Sequence, residues 1–456
     1  MVRVLFLPFS WPPILLAAVL IGGCGQARSP TLAVIPASCA SRSTRPVCYT
    51  PQQIRVAYDI RPLLREHVTG QGRTIVILAT EGATEGDVVP FATVRASIRT
   101  YDHVFDLRDP PLTRYAPFGG QLTLNAAAEA IEDIEVAHAV APGAAIRLVT
   151  PDGGSRRLLG RSGLRKRDAV RTQSLVKAMR YSVFHHLGDV LSVSYDVSEA
   201  CLPRAIVRAM HAVLEAARSQ HVTVVASAGD YGALAPRCTV SSASVTPGVS
   251  LPASDPLVTA VGGTQLLTSL PKGVYRSETA WRGSEEPSAG RAGSYRFLDV
   301  ASGGGFSRIF RAPAYQRTLD TGGRRGVPDV AFDAAADTGV ALLVRSRRAT
   351  SVVAGEGTSL GAPAWAGVAV LADAYARRRI GLLNPCLYRL GETGDGRRAF
   401  HDVSRGSNTV RVGLLGNKSV HVQGFEAKPG WDAVTGWGTP KVDALVPLLA
   451  ACSRQR

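Results

Sequence analysis

Short, unbroken runs of β-branched and apolar residues alternate with longer helical stretches in this chain, and that alternation constrains its fold more than any other feature. Candidate strands are Thr74–Ala79 (TIVILA), Ile146–Thr150, Val190–Ser194 (VLSVS) and Val222–Ser227 (VTVVAS). Candidate helices are Leu124–Val140, Val170–Leu187, Pro203–Gln220 and Gly361–Arg378. Strands without a polar face are buried on both sides, so the pattern implies an α/β fold with a mostly parallel sheet covered by helices on both faces. Gly303-Gly304-Gly305 reads as a tight loop and lacks the G-x-x-x-x-G-K-[ST] pattern of a phosphate cradle.

The 456 residues carry 52 Lys and Arg against 36 Asp and Glu, a formal balance of +16. Such an excess raises the question of nucleic acid or membrane partners. At 45% hydrophobic and 19% charged residues the chain is not a disordered basic protein, and no groove-reading motif accompanies the charge, so no nucleic acid partner is expected. The basic stretch Ser155–Arg171 (SRRLLGRSGLRKRDAVR) reads as a solvated surface loop. A monomer is expected.

Residues 1–24 read as an export signal: Arg3, the short apolar core Ile14–Ile21, then small residues. Ile21-Gly22-Gly23-Cys24 is similar to a bacterial lipoprotein box, which would place a lipid on Cys24 and hold the protein at the cell envelope; an ordinary cleaved signal and secretion is the alternative. Residues 25–47 form a linker, leaving 48–453 as the main domain. Export makes disulfides plausible. The six Cys besides Cys24 allow fifteen connectivities; the expected set is Cys39–Cys48, Cys201–Cys238 and Cys386–Cys452, with no C-x-x-C spacing for a zinc site.

Four residues carry candidate chemistry. Ser359, in Gly357-Thr358-Ser359 before the small-residue helix at Gly361, stands where a nucleophile would meet a helix N-terminus. A helix-capping Ser is the alternative. None of the nine His is followed by Gly, so the His-Gly-Thr segment of a subtilisin-type triad is missing. Glu129 and Asp133 lie four residues apart in an apolar helical segment, so they share one face. One could accept the serine proton while the other orients it through a shared proton, and two such acids do not both ionise easily. Asp230 follows an apolar strand, where ligands of parallel sheets bind; to stabilise an oxyanion it would have to be protonated and donate.

From Tyr49-Thr50-Pro51 to Leu448 the chain resembles the sedolisins, or serine-carboxyl peptidases. The matching segments are VLSVSYDVSE (Val190–Glu199), LPASDPLVTAVGGT (Leu251–Thr264), SGGGFSRIF (Ser302–Phe310), GVPDVAFDA (Gly326–Ala334), GEGTSLGAPAWAG (Gly355–Gly367) and NPCLY (Asn384–Tyr388). The resemblance implies a subtilisin-like three-layer fold and an exported endopeptidase working at acid pH. Ser359 would be its nucleophile, Glu129 the general base, Asp133 the acid bonded to that Glu, and Asp230 the oxyanion-hole Asp. It also implies one calcium ion, held by the carboxylates of Asp402 and Asp432 and the carbonyls of Val403, Lys428 and Gly430. Lys428 stands where the family usually has Gly, and Ser194-Tyr195-Asp196 where it usually has Ser-Trp-Gly. Too few residues lie between Cys24 and Cys48 for the family's usual long prodomain, so none is expected. A catalytically silent, peptide-binding envelope lipoprotein and a tripeptidyl-peptidase are the alternatives.

Overall fold

The β-branched runs form the centre of the molecule. The computed structural model describes residues 48–79, 88–152, 164–234, 247–284, 295–345, 350–414 and 419–453. Among them, eight strands make one sheet: β1 Thr74–Leu78, β2 Leu112–Tyr115, β3 Ala145–Val149, β4 Val190–Val193, β5 Thr223–Ser227, β6 Thr259–Ser269, β7 Val274–Ala280 and β8 Val330–Asp333. Their order is β7-β6-β5-β4-β1-β3-β2, with β8 also pairing β6. Every pairing is parallel except β6 with β7, a hairpin from Thr264↔Ala280 to Ser269↔Val274. The chain builds β3 on one side of β1 and β4 on the other, so the strand order reverses there and the carboxyl ends of β1 and β4 open the crevice in which such sheets bind ligands.

Strand β1 shows why the sheet is covered on both faces. Ile75 and Ile77 belong to one apolar cluster and Val76 and Leu78 to another, alternating as a pleated strand dictates. The first cluster is closed by α1 (Leu124–Val140), α4 (Gly361–Ala376) and α6 (Val442–Cys452), the second by α2 (Leu164–Phe184) and α3 (Arg204–Ser219). Three layers result, as the alternation of strands and helices implies.

Element limits agree with the sequence reading to within a residue or three, except at α2. That helix starts at Leu164 and takes in the second half of the basic stretch read as a loop. Past Gly163 the run Leu164–Arg171 holds no Gly or Pro, and Leu, Arg and Lys are good helix formers, so propensity carries the helix upstream of the first apolar turn. Residues 153–163 lie outside the described residues, as do the signal at 1–24, Cys24, the linker at 25–47, Cys39 and Cys238. Cys386 and Cys452 form the expected disulfide, tying α5 (Asn384–Gly391) to the end of α6. Cys48 and Cys201 are disulfide-bonded as well.

Helix α4 is apolar on all sides because it lies between α1 and the sheet, and it can approach α1 only through Gly367. A Cβ there would sit 2.7 Å from both Cβ and Cγ1 of Val140. Around this contact the interior holds many carboxyls. Asp102, Glu132, Asp133, Glu135, Glu278, Asp333 and Asp373 are all buried, and burial raises the pKa of each, Asp373 to about 7 and Asp133 to about 8.

Two outcomes follow from this packing. Gly367→Ala wedges α1 from α4 and destabilises the fold by about 1–3 kcal/mol, read as a lower urea midpoint in equilibrium unfolding. The buried acids fix the sign of the pH dependence. Their folded pKa values lie above unfolded ones of about 4, so between the two the native state binds more protons and stability falls as pH rises. The melting temperature is therefore highest near pH 4–5 and drops steadily toward pH 8; a flat or rising profile over that range would contradict the burial.

Candidate active site

Helix α1 begins where Thr123 accepts a hydrogen bond from Ala126 N at 3.2 Å and ends at Ala141, before Pro142. Its apolar composition sinks it against α4 and takes Glu129 and Asp133 with it; they are 7% and 1% exposed. Ser194, the first residue past β4, donates to Asp133 Oδ1 at 2.6 Å and lies 3.3 Å from the carbonyl oxygen of Ser359. Asp133 Oδ2 and Glu129 Oε1 are buried without a hydrogen-bond partner. Burial raises the pKa of both acids. For Glu129 the like charge of Asp133 adds to this, Ser359 opposes it by hydrogen bonding, and Asp230 and Asp196 add more distant repulsion. For Asp133 the bond from Ser194 is the opposing effect.

Ser359 sits in the turn that opens α4 and is 2% exposed. It is close enough to Glu129 to lower that carboxyl's pKa, yet its Oγ makes no well-formed hydrogen bond. Nucleophile and base contacts are commonly loose without substrate and tighten when it binds. Gly357 makes the turn possible: its φ is +104°, and a Cβ would lie 2.9 Å from Asp230 Oδ2. Thr358 then aims at Asp230, donating to Oδ1 from its N at 2.8 Å and its Oγ1 at 2.7 Å. Gly229 N donates to the same Oγ1 at 3.1 Å. With Oδ1 taken, Oδ2 is the oxygen left for other chemistry. Burial raises the Asp230 pKa and the two Thr358 bonds oppose that rise.

The triple glycine completes this wall. Gly303 N donates to Gly229 O at 2.7 Å, and a Cβ on Gly303 would lie 2.3 Å from Ala228 O. Asp196 and Asp230 flank a narrow cleft along the same loop.

All four candidate residues thus meet at the carboxyl edge of the sheet. The sequence reading missed three neighbours. Ser194 and Thr358 were quoted within motifs but given no role, because small hydroxyl residues carry no spacing signal. Glu132, 2% exposed with neither carboxylate oxygen partnered, had one: it stands three residues after Glu129, on the same face of an apolar helix. Burial raises its pKa, with added repulsion from Glu129 and Asp133.

The calcium candidates also come together, well away in the chain. Gly430 N donates to Asp402 Oδ2 and Lys428 N to Asp432 Oδ2, each at 3.0 Å. Thr435 Oγ1 lies 3.2 Å from both Val403 O and Asp432 Oδ2. Among the described residues no three acidic, His or Cys side chains converge as a metal-binding group. Nor is any described helix long and apolar enough to cross a membrane.

No family model matches the chain, but individual proteins do. Kumamolisin of Bacillus sp. (strain MN-32) is 29% identical over 428 residues, covering 91% of this chain and 66% of kumamolisin. Human tripeptidyl-peptidase 1 is 31% identical across 58% of this chain and 43% of its own length. Sedolisin of Pseudomonas sp. (strain 101) is 31% identical across 58% and 41%. The chain therefore spans just under two thirds of kumamolisin and less than half of the other two. A solved Pseudomonas sedolisin, complexed with two molecules of pseudo-iodotyrostatin, superposes with a TM-score of 0.70 over 88% of this chain and 98% of that one, at 24% identity, and so shares the fold. These likenesses bear out the resemblance of the chain to the sedolisins, or serine-carboxyl peptidases, whose fold it shares.

Proposed function

We propose that this protein is an exported endopeptidase that hydrolyses peptide bonds at acid pH. One observation carries the reading: a buried Ser359 beside the Glu129 carboxyl, with the Asp230 carboxyl held by the neighbouring Thr358. Ser359 Oγ attacks the scissile carbonyl and its proton passes to Glu129. A proton shared with Asp133 would partner the orphan oxygens on both acids and leave the pair with one negative charge. Ser194 holds Asp133 in place. Asp230, protonated on Oδ2, donates to the oxygen that becomes the oxyanion. Glu129 then returns the proton to the leaving amine, and water attacks the acyl-enzyme with Glu129 again as base.

The pH window follows from the same groups. The pair must lose one proton for Glu129 to act as base, and Asp230 must keep its own. Burial, joined for Glu129 by the like charge of Asp133, moves both events above the ordinary carboxylate range of about 4. Activity on a denatured protein is accordingly bell-shaped between about pH 3 and 7. Ser359→Ala abolishes it. Asp230→Ala lowers kcat about 10²–10³-fold, whereas Asp230→Asn, a donor at every pH, keeps more activity and shifts the alkaline limb upward. Equal cleavage by Ser359→Ala would refute the proposal. Tripeptide release from free N-termini is the second reading, supported by the tripeptidyl-peptidase relatives; product mass spectrometry separates the two.

The donor set around Asp432 suits a hard cation. Calcium would be held by the carboxylates of Asp402 and Asp432, the carbonyls of Val403, Lys428 and Gly430, and a water. Bound there it supplies no catalytic chemistry but ties the two loops together. A chelator is expected to lower the melting temperature by several degrees, with restoration by calcium and no response in Asp432→Asn. At a ligand concentration of 100 Kd the linkage amounts to about 2.7 kcal/mol. No shift in the wild type would refute the site.

Export rests on residues 1–24, and the Cys386–Cys452 disulfide suits an oxidising compartment. Attachment to the envelope would run through a lipid on Cys24.

A further inference from the structure

Three residues leave β4 in extended succession and point to alternate sides, as a pleated strand requires. Ser194 reaches Asp133. Tyr195 turns the other way, its hydroxyl 3.1 Å from Thr172 Oγ1 on α2 and its ring in the apolar cluster of that face. Asp196 returns to the side of Ser194 and enters the cleft beside Asp230. Among the described residues its carboxylate makes one hydrogen-bonding contact there, with Ser250 Oγ at 3.5 Å, long for a hydrogen bond. A half-buried carboxylate with so little hydrogen bonding is poorly compensated for its lost hydration.

The rest of the cleft suggests what would compensate it. Gly229, Gly232 and Gly303 contribute only backbone, while Leu234 and Val249 add apolar surface. The cleft is narrow, with Leu234 and Val249 along its side and carboxyls where Asp196 and Asp230 meet it. An unbranched methylene stem with a cationic head matches that profile, since Lys and Arg bury their stems on apolar surface and present charge at the tip. The position in the sequence of events is equally specific. Asp230 addresses the oxygen of the attacked carbonyl, so the adjoining cleft receives the side chain of the residue that owns that carbonyl.

The geometry points to Asp196 as a specificity-determining residue that selects Lys or Arg on the amino side of the scissile bond. This rests on the peptidase reading for the orientation of the peptide, and it adds the substrate class to it. No covalent step changes. Burial and the like charge of Asp230 push the Asp196 carboxyl up to about 7, and a Lys or Arg head placed beside it favours the ionised form, so the contact becomes charge-assisted once the cation is bound.

Binding tests it without relying on turnover. Ser359→Ala protein is titrated with fluorescent peptides that differ only in the C-terminal residue: Lys, Arg, Leu or Glu. The Lys and Arg peptides are expected to bind at least tenfold more tightly than Leu, and Glu more weakly than Leu. Adding Asp196→Asn or, as a second variant, Asp196→Gly should bring Lys and Leu within about threefold of each other, with the melting temperature checked for each variant. Asp196→Lys should favour Glu. Equal binding of Lys and Leu to the Ser359→Ala protein, or a basic preference that survives both Asp196 variants, would overturn the assignment. Cleavage of a matched internal series by the protein with Ser359 intact reports separately on the peptidase reading, which fails if nothing is cleaved while the basic preference in binding stands.

Discussion

The close crossing of α1 and α4 is the contact on which the site depends. Gly367 lets the two helices meet where any side chain would strike Val140, and α4 in turn packs against the sheet through small residues such as Gly361, whose Cβ would fall 2.6 Å from Val261 Cγ1. At that spacing the acid face of α1 comes beside the turn that opens α4. Ser359 then needs no long side chain to reach it. A His base would bring its own reach and its own pKa near neutrality; a carboxylate on a helix depends on the helix being close.

Closeness has an energetic consequence. Glu129, Glu132 and Asp133 are buried on one turn, and none is paired with a cation among the described contacts. The same interior shows what full compensation looks like. Arg325, wholly buried, holds Asp329 through two 2.6 Å bonds, while Tyr388 Oη and Ala260 N, each at 2.8 Å, occupy the remaining acceptor positions. The acids of α1 lack such partners and meet the cost of burial by holding protons instead. Neutral carboxyls in the core, and the shared proton proposed at the site, would make low pH the condition under which fold and chemistry agree. The tension is local to the functional region, as expected where a protein departs from the rule that buried charge is paired.

How much of this was legible in the sequence depends on the kind of signal. The limits of α1 were readable to the residue, because Thr123 and Pro142 bracket an apolar run. Strand positions were readable because both faces are apolar and leave no polar register to misplace. Of the disulfides, Cys386–Cys452 was chosen from fifteen connectivities and is present. The start of α2 was not readable, since a run of Arg and Lys without apolar periodicity supports helix and solvated loop alike. Nor were the roles of Ser194 and Thr358. Their hydroxyls matter through distances of 2.6 Å to Asp133 and 2.7 Å to Asp230, and those distances are set by β4, β5 and α4 meeting across more than a hundred residues of chain.

The +16 charge takes on a different meaning against this interior. Cationic excess over the whole chain coexists with a cleft whose titratable side chains are acids. Charges on the surface are screened over roughly 8 Å at physiological ionic strength, whereas those in a partly buried cleft are screened far less. The charge met by a peptide in the cleft therefore turns on how many of Asp196, Asp230 and the α1 acids are ionised rather than on the surplus of Arg outside. Net charge describes how the molecule meets a surface or stays in solution; the few carboxyls that escape solvent decide which bond it would cut.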